Sequence, residues 1–467
     1  MSARPLLAAL VAALVAGCVS TPDGAPHERP LAAADVGLQG PAYQAPAADW
    51  WLALDDPQLD RLVQAALERN PGLAGALARV RIAEQQARIM GSTNDPQLAF
   101  DAHAMREKIS ANWIFPPPYA GGTYWDAQLG LNLAWNLDFW GRQAALIRQS
   151  ELVAQSTAFD AAGVSLLLSS SVAQAYVELA RAQQVAALVE RAGAQRAHIL
   201  ELAQQRVQAG LDTDIETQSA EANLALVAVE REQARLAQEA AVHALAALTG
   251  HGAEFYPQVA DPSLDLERAL ELPQVLPLDL LAHRPDVAAA RDRVEAALAG
   301  RAAAKASFYP NVNLLGFAGW TAIGLDRLFD SSSQNFSGTA AVHLPLFDAG
   351  RLKAEYRRSG AEADAATAAY NEAVLRAVRE TADQLSRLRA LDQQLADQAR
   401  ALQAAERAFE LAGQRYGAGL ASYLTVLNAE TQVLAARRQR VNLLADRTLA
   451  RVALIVALGG SFKETTG

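Results

Sequence analysis

The stretch YWDAQLGLNLAWNLDFWGR, Tyr124 to Arg142, changes character partway along. Trp125, Ala127, Leu129, Leu131, Leu133, Trp135 and Leu137 share one face of an extended chain. Asp126, Gln128, Gly130, Asn132, Ala134 and Asn136 share the other. Period two with an apolar and a polar face reads as a strand. It exceeds the ~9 to 11 residues that a tilted strand needs to cross a bilayer, so a strand between lipid and water is one reading. A soluble sandwich strand is the other, and this stretch alone does not choose. After Gly141-Arg142 the alternation stops. No proline interrupts the chain from Gln143 to Ala209, which reads as one helix about 100 Å long at ~1.5 Å per residue.

The same switch returns at PLFDAGR, Pro345 to Arg351. Gly141 matches Gly350, Arg142 matches Arg351 and Gly210 matches Gly419, all at an offset of 209. Upstream, ALERNPGLAGALARVRIAEQQARI from Ala66 matches LLAHRPDVAAARDRVEAALAGRAA from Leu280, with Pro71 and Pro285 offset by 214. The chain is therefore an internal repeat, each copy running helix, two strands, very long helix, turn, helix. The other strands are expected in PQLAFDAHAMRE from Pro96, PNVNLLGFAGWTAI from Pro310 and SGTAAVHLPLF from Ser337. Trp113, Trp125, Trp135, Trp140 and Trp320 lie in or beside them, where interface belts place tryptophan, which tilts the reading toward a membrane. Pro116 to Pro118 cannot pair in a sheet, so the loop ISANWIFPPPYAGGT is exposed, and with GLDRLFDSSSQNF it would form the outer, extracellular ends.

On the helical side, Val374, Thr381, Leu388, Leu395, Leu402, Phe409 and Tyr416 recur every seven residues. Val172, Leu179, Ala186, Leu200 and Val207 answer in the first copy. Sustained sevens predict helices packed as a coiled coil. Two shorter helices, Pro57 to Met90 and Thr217 to Thr249, together match the length of the long one, so each copy is expected to set a stacked pair beside a single long helix.

The chain has 467 residues, a net charge of -10 and 20% charged residues, with Arg and Glu interspersed. An acidic balance argues against a nucleic-acid partner. The pairs Arg357-Arg358 and Arg437-Arg438 read as solvated helix faces. At the N-terminus, Arg4, the apolar run Leu6 to Val15 and small residues form a secretory signal. LVAGC, ending at Cys18, the only cysteine, resembles the lipobox of bacterial lipoproteins. That resemblance implies cleavage before Cys18, diacylglyceryl attachment to its sulfur and a palmitoyl group on its amine. Val19 and Ser20 in place of Asp favour the outer membrane, and the processed chain would carry 40 basic against 51 acidic residues. No later window is expected to hold the 18 or more apolar residues of a spanning helix, and VALIVAL, Val452 to Leu458, reads as a buried helix end. Seven scattered histidines, no HExxH and no phosphate-cradling glycine loop give no expectation of catalysis, metal or cofactor.

WWLALDDPQLDRLVQAALERNP, HRPDVAAARDRVEAA, PLFDAGR and QRYGAGLASYLTVLNAE, in that order behind a lipobox, resemble the bacterial outer-membrane efflux protein family over nearly the whole chain. These are the TolC-like and OprM-like channels, and the likeness is greatest to the lipoprotein, NodT-type branch. The resemblance implies a mixed α/β membrane protein: a homotrimeric twelve-stranded β-barrel, four strands per chain, continuous with a long periplasmic α-helical barrel. Four strands alone would leave two open edges in lipid. The expected domains are a removed signal, 1–17; a lipidated segment, 18–56; a first repeat, 57–250; an equatorial connector, 251–276, containing helices; a second repeat, 277–458; and a tail, 459–467.

The implied function is the exit duct of a tripartite efflux pump, without catalysis. It would conduct small toxic compounds or drugs received from an inner-membrane transporter of the resistance-nodulation-division class through a periplasmic adaptor. The outer-membrane exit of a type I protein secretion system, and a periplasmic coiled-coil scaffold with no pore, are the alternatives. The adaptor would meet the two hairpin tips at Gly210, Leu211, Gly417, Gly419 and Leu420. Tyr416 matches the family's gating tyrosine, and a hydrogen bond to Glu216 is the expected closed link. Some members ring the entrance with two aspartates, whose positions are Thr425 and Asn428 here; Asp212 and Asp214 would supply that charge instead. Gly141, Arg142, Gly350 and Arg351 would mark the joints between the two barrels. A glycine at a helix end is also simply a C-cap.

Overall fold

The computed structural model describes residues 25–42, 49–112, 114–268, 272–273, 275–277 and 279–462; Cys18, the signal segment, Trp113 and residues 463–467 lie outside them. The elements in chain order are helices α1 (Pro57–Arg69) and α2 (Pro71–Ser92), strands β1 (Gln97–Lys108) and β2 (Thr123–Leu137), and helices α3 (Arg142–Gln208) and α4 (Asp214–Leu248). The second copy follows as α5 (Pro285–Ala306), β3 (Asn311–Ile323), β4 (Gln334–His343), α6 (Arg351–Gly417) and α7 (Tyr423–Ala457). Within the described residues two compact units form, one from 25–30, 79–157 and 289–370, the other from 31–78, 158–288 and 371–462.

The first unit is built on a four-stranded antiparallel sheet in the order β1-β2-β3-β4. The two copies join at its centre, where Asp126 to Leu137 of β2 pairs with Ile323 to Val312 of β3. Residues directly opposite share a face. Leu98↔Leu133, Phe100↔Leu131, Leu131↔Ala318, Trp135↔Leu314 and Ala318↔Phe336 therefore form one apolar face. Leu98, Phe100, Leu131, Phe336 and Val342 on it are exposed. The other face carries Asp101, Gln128, Asn132, Thr321 and Asn335, and Asn132 Nδ2 donates to Asp101 Oδ2 at 2.6 Å. Gly130 and Gly319 sit opposite each other on this side. A Cβ on Gly130 would come within 2.6 Å of the Phe317 ring, which occupies that space. Among the described residues β1 and β4 each pair on one side only, so the sheet has two open edges.

The last strand was expected from Ser337 to Phe347 but runs from Gln334 to His343. Pro345 has no N–H for the ladder, so the chain leaves the sheet before it. Upstream, Gln334 and Asn335 extend the pairing to Trp320 and Gly319. Both strand-to-helix joints turn on a left-handed glycine, Gly141 at φ 72° and Gly350 at φ 89°, a region open mainly to glycine. Arg142 and Arg351 then open α3 and α6. Asp138 accepts from Ala144 N at 2.8 Å; Asp348 accepts from Gly350 N and Leu352 N at 3.0 and 2.9 Å, so both helix starts are capped. In the same unit, His27 N and Glu28 N donate to Asp364 Oδ1 on α6, at 2.6 and 2.9 Å.

The second unit is helical. A short 3₁₀ turn, Trp50–Leu54, and α1 bury Trp50, Trp51, Leu59, Leu62 and Val63 against Val172, Tyr176 and Val177 of α3 and Leu444, Val452 and Ile455 of α7. Asp56 ties this core together: it accepts from Gln58 N, from Tyr176 Oη at 2.8 Å and from both Ser263 N and Oγ. Burial, with Asp56 beside it, pushes the Tyr176 phenol far up. Of the heptad positions, Val172, Leu179, Val374, Thr381 and Tyr416 are buried, while Ala186, Leu200, Val207, Leu388, Leu395, Leu402 and Phe409 are half-buried.

Three expectations change. The helix expected from Pro57 to Met90 breaks at Asn70, whose side chain accepts from Gly72 N and Leu73 N and starts a new helix at Pro71. In the connector, the only helix among the described residues is the 3₁₀ turn Ala253–Gln258. And α3 does contain an 18-residue window of mean hydropathy 1.3. Val172, Ala173, Tyr176 and Val177 of the helix lie in the core, while 28% of the window is buried within the chain.

Candidate functional site at the hairpin tips

Each pair of long helices turns on a glycine four residues after an arginine, RVQAG and RYGAG. At the first tip Gly210 adopts φ 72°, and Gly210 N and Leu211 N close the end of α3 on Val207 O and Arg206 O, both at 2.9 Å. At the second, Gly419 adopts φ 74°, and Gly419 N and Leu420 N reach Tyr416 O and Arg415 O. Gly417, expected in the turn, is instead the last residue of α6.

Beyond the first turn, Thr213 and Glu216 form a capping box that starts α4: Glu216 Oε2 accepts from Thr213 N at 3.1 Å and from Thr213 Oγ1 at 2.6 Å. The Thr213 hydroxyl holds the Glu216 carboxyl below its ordinary range. Glu216 is thereby committed to its own helix, and the expected Tyr416 to Glu216 hydrogen bond is absent. Tyr416 Oη donates to Asp212 Oδ2 at 3.3 Å. Arg206 grips the same carboxylate through Nε at 2.6 Å and Nη2 at 3.3 Å, and its Cζ lies 4.7 Å from the Tyr416 ring centre. Arg206, Asp212 and Tyr416 thus form one cluster joining the first hairpin to the second. The Arg206 hydrogen bond holds Asp212 low, while burial, then Asp212, push the Tyr416 phenol up.

The cluster closes a small core of Ala203, Ala220, Ala412, Tyr423 and Val426. Behind it, Glu430 is 1% exposed, with neither carboxylate oxygen hydrogen-bonded, and Arg196 Nε is 3.9 Å away. Burial pushes this carboxyl up, against the pull of Arg196. Asp214, Thr425 and Asn428 are exposed and outside the cluster; the Thr425 hydroxyl meets Ser422 Oγ at 3.2 Å. Leu211 and Leu420 are exposed at the two turns, with Ile215 and Leu424 beside them.

Sequence reasoning did not single out Arg206, Arg196 or Glu430. Arg206 could have been found as the basic residue in the last turn of a helix, six positions before an acid across a tight turn. No sequence signal marks the other two as partners, since they lie in different copies. Among the described residues no cluster of His, Cys, Asp and Glu could hold a metal.

The family described as outer membrane efflux protein matches residues 62–251 and again 276–460. The multidrug resistance outer membrane protein MdtQ of Escherichia coli O6:H1 is 31% identical over 465 residues, covering 97% of this chain and 96% of its own length. The pyoverdine export outer membrane protein OpmQ of Pseudomonas aeruginosa is 34% identical over 477 residues, covering 99% and 98%. Among solved structures, the outer membrane protein VceC of Vibrio cholerae superposes with a TM-score of 0.84 at 34% identity, over 90% of this chain and 100% of its own. With both copies matched and relatives aligned end to end, the chain belongs to the outer membrane efflux protein family.

Proposed function

We propose that three copies of this chain close a duct through the outer membrane and the periplasm. A resistance-nodulation-division transporter and a periplasmic adaptor would feed it small toxic compounds. The observation that carries this reading is the sheet: one exposed apolar face, one polar face and, among the described residues, two unpaired edges. In hydrocarbon an unpaired edge strands its N–H and C=O groups, so the sheet needs neighbours, and three copies give a closed twelve-stranded ring around an aqueous lumen. Multidrug resistance and pyoverdine export, named for the relatives, support small molecules as cargo.

Lipidation at Cys18 would add an anchor to the barrel. At the entrance, Tyr416, Asp212 and Arg206 would hold the two hairpins of a chain together, and this link is the closed state. Exposed Leu211 and Leu420, with Gly210 and Gly419 shaping the turns, offer the adaptor an apolar contact at each tip. Exposed Asp214 from three chains would bias the entrance toward cations, joined by Asp212 only where Arg206 lets it go, with Thr425 and Asn428 adding no charge. The joints at Gly141-Arg142 and Gly350-Arg351 would lie where the barrel meets the periplasm. Planar-bilayer recordings of the purified protein test the duct: discrete conductance from trimers is expected, and its absence would leave a non-conducting scaffold. Deleting the gene should sensitise the cell to at least one toxic small molecule; loss of an exported protein alone would favour secretion.

A further inference from the structure

A cavity of about 220 Å³ lies at the ends of β2, β3 and β4 beside the two joints, lined by Trp140, Arg142, Tyr309, His343, Arg351 and Glu355 among others. It brings one guanidinium from each copy to the same space. Arg142 Nε donates to Ser307 Oγ at 3.1 Å and Arg351 Nη1 to Glu355 Oε1 at 2.9 Å. Each guanidinium carries further donors. The helix starts offer little, because Asp138 and Asp348 already take their N–H groups. What the cavity presents is a pair of planar cations with one carboxylate between copies of the same turn.

Its surroundings are not those of a site for a dissolved anion. The rings of Trp140 and Tyr309 stack at 4.8 Å and 18°, forming one wall. Leu137, on the apolar face of the sheet, forms part of another. Next along the chain, Phe139, Leu346 and Phe347 are 67%, 76% and 90% exposed. Apolar side chains with nothing to cover them, beside amphipathic rings and arginines, match the boundary between hydrocarbon and headgroups. Glu355 would repel a simple anion but suits a headgroup that carries an amine next to its phosphate.

We infer that this cavity binds the headgroup of a membrane phospholipid, its phosphodiester on Arg142 and Arg351 and its amine, as in phosphatidylethanolamine, toward Glu355. The inference rests on the reading of the strands as membrane-spanning. Arginine forks suit phosphate oxygens bidentately, and the acyl chains leave along the apolar face past Phe139 and Phe347.

Native mass spectrometry of the full-length protein tests it, with phosphatidylethanolamine, with diacylglycerol of the same chains, and with inorganic phosphate as competitor. The expected result is retention of phosphatidylethanolamine, little retention of diacylglycerol and no displacement by millimolar phosphate. R142Q with R351Q should cut retention about tenfold, the loss of one or two charge-assisted hydrogen bonds, whereas R142K with R351K should keep most of it as point charges. Equal retention of diacylglycerol, wild-type retention in the glutamine pair, or equal losses in the lysine and glutamine pairs would overturn the site. Displacement by phosphate would overturn the lipid assignment. Wild-type protein that conducts in planar bilayers yet retains no phospholipid sinks the headgroup site and leaves the duct; protein that never conducts removes the premise of both.

Discussion

Tyr416 is left to Asp212 because Glu216 is already engaged, and the local rule that explains this was visible in the sequence: Thr213 and Glu216 have the spacing of a capping box. A strong local partner three residues away outcompetes a distant one. Replacing Tyr416 by Phe together with Asp212 by Asn should raise conductance several-fold if this cluster closes the entrance; unchanged conductance removes it from the gate. The same cluster sets a pH dependence. Asp212 is held below the ordinary carboxylate range by Arg206, so the stability it contributes is complete above about pH 4 and is lost as pH falls through the depressed value. Conductance should stay flat from neutral pH to about pH 4 and rise below it; a rise already near pH 6 would contradict the assignment. In the HRPD stretch, Arg284 is 7% exposed and reaches Asp286 through Nε and Nη2, Glu380 at 2.9 Å and Ala457 O at 3.0 Å. Burial works against the ionised Asp286, yet Arg284 outweighs it and holds the carboxyl low. Arg284→Ala takes the guanidinium from Ala457 O and from two partly exposed carboxylates, of which Asp286 keeps Arg376 at 3.8 Å, and urea melts should show a loss of roughly 1 to 3 kcal/mol. A loss under 1 kcal/mol would mean that water replaces the guanidinium.

At the scale of elements, periodicity carried the reading well. Strand β2 was legible because both its faces have definite work, and α3 and α6 were legible because sevens persist without proline. The errors fell where period gives way to local chemistry: Asn70 restarting a helix, Pro345 ending a strand, Gly417 completing a helical turn before Gly419 reverses the chain. The cross-copy pairing of β2 with β3 was not legible, since no single strand states its neighbour. That pairing depends on Gly130, whose missing side chain admits the Phe317 ring. Gly130→Val should cost roughly 1 to 3 kcal/mol by overpacking. It should lower the temperature at which trimers dissociate on semi-native gels, and an unshifted temperature would show that the ring moves aside freely.

For the whole molecule, the repeat was the decisive clue, because it fixed the number of strands per chain and left two edges unpaired. Oligomer geometry then follows from the intolerance of lipid for bare backbone, a constraint on the assembly that no individual residue encodes. What stayed hidden was the buried charge pair between copies, Arg196 with Glu430, for which the sequence provides only two unremarkable helix positions.

If Cys18 is acylated, the hold of Asp364 on His27 N and Glu28 N makes the segment between Cys18 and His27 a leash. Thirteen helical residues separate Asp364 from the joint at Arg351, about 20 Å at 1.5 Å each. Nine residues separate His27 from Cys18, a reach of about 30 Å when extended. An acylated Cys18 could therefore touch the bilayer at the joint with about 10 Å of slack, from the same per-residue reach. Removing five residues between Cys18 and His27 leaves about 13 Å, too short for both ends to hold. Such a deletion should expose the amides of His27 and Glu28 to hydrogen exchange when the protein is lipidated, and leave them protected when Cys18 is serine. Equal protection in both would show that the leash is slack.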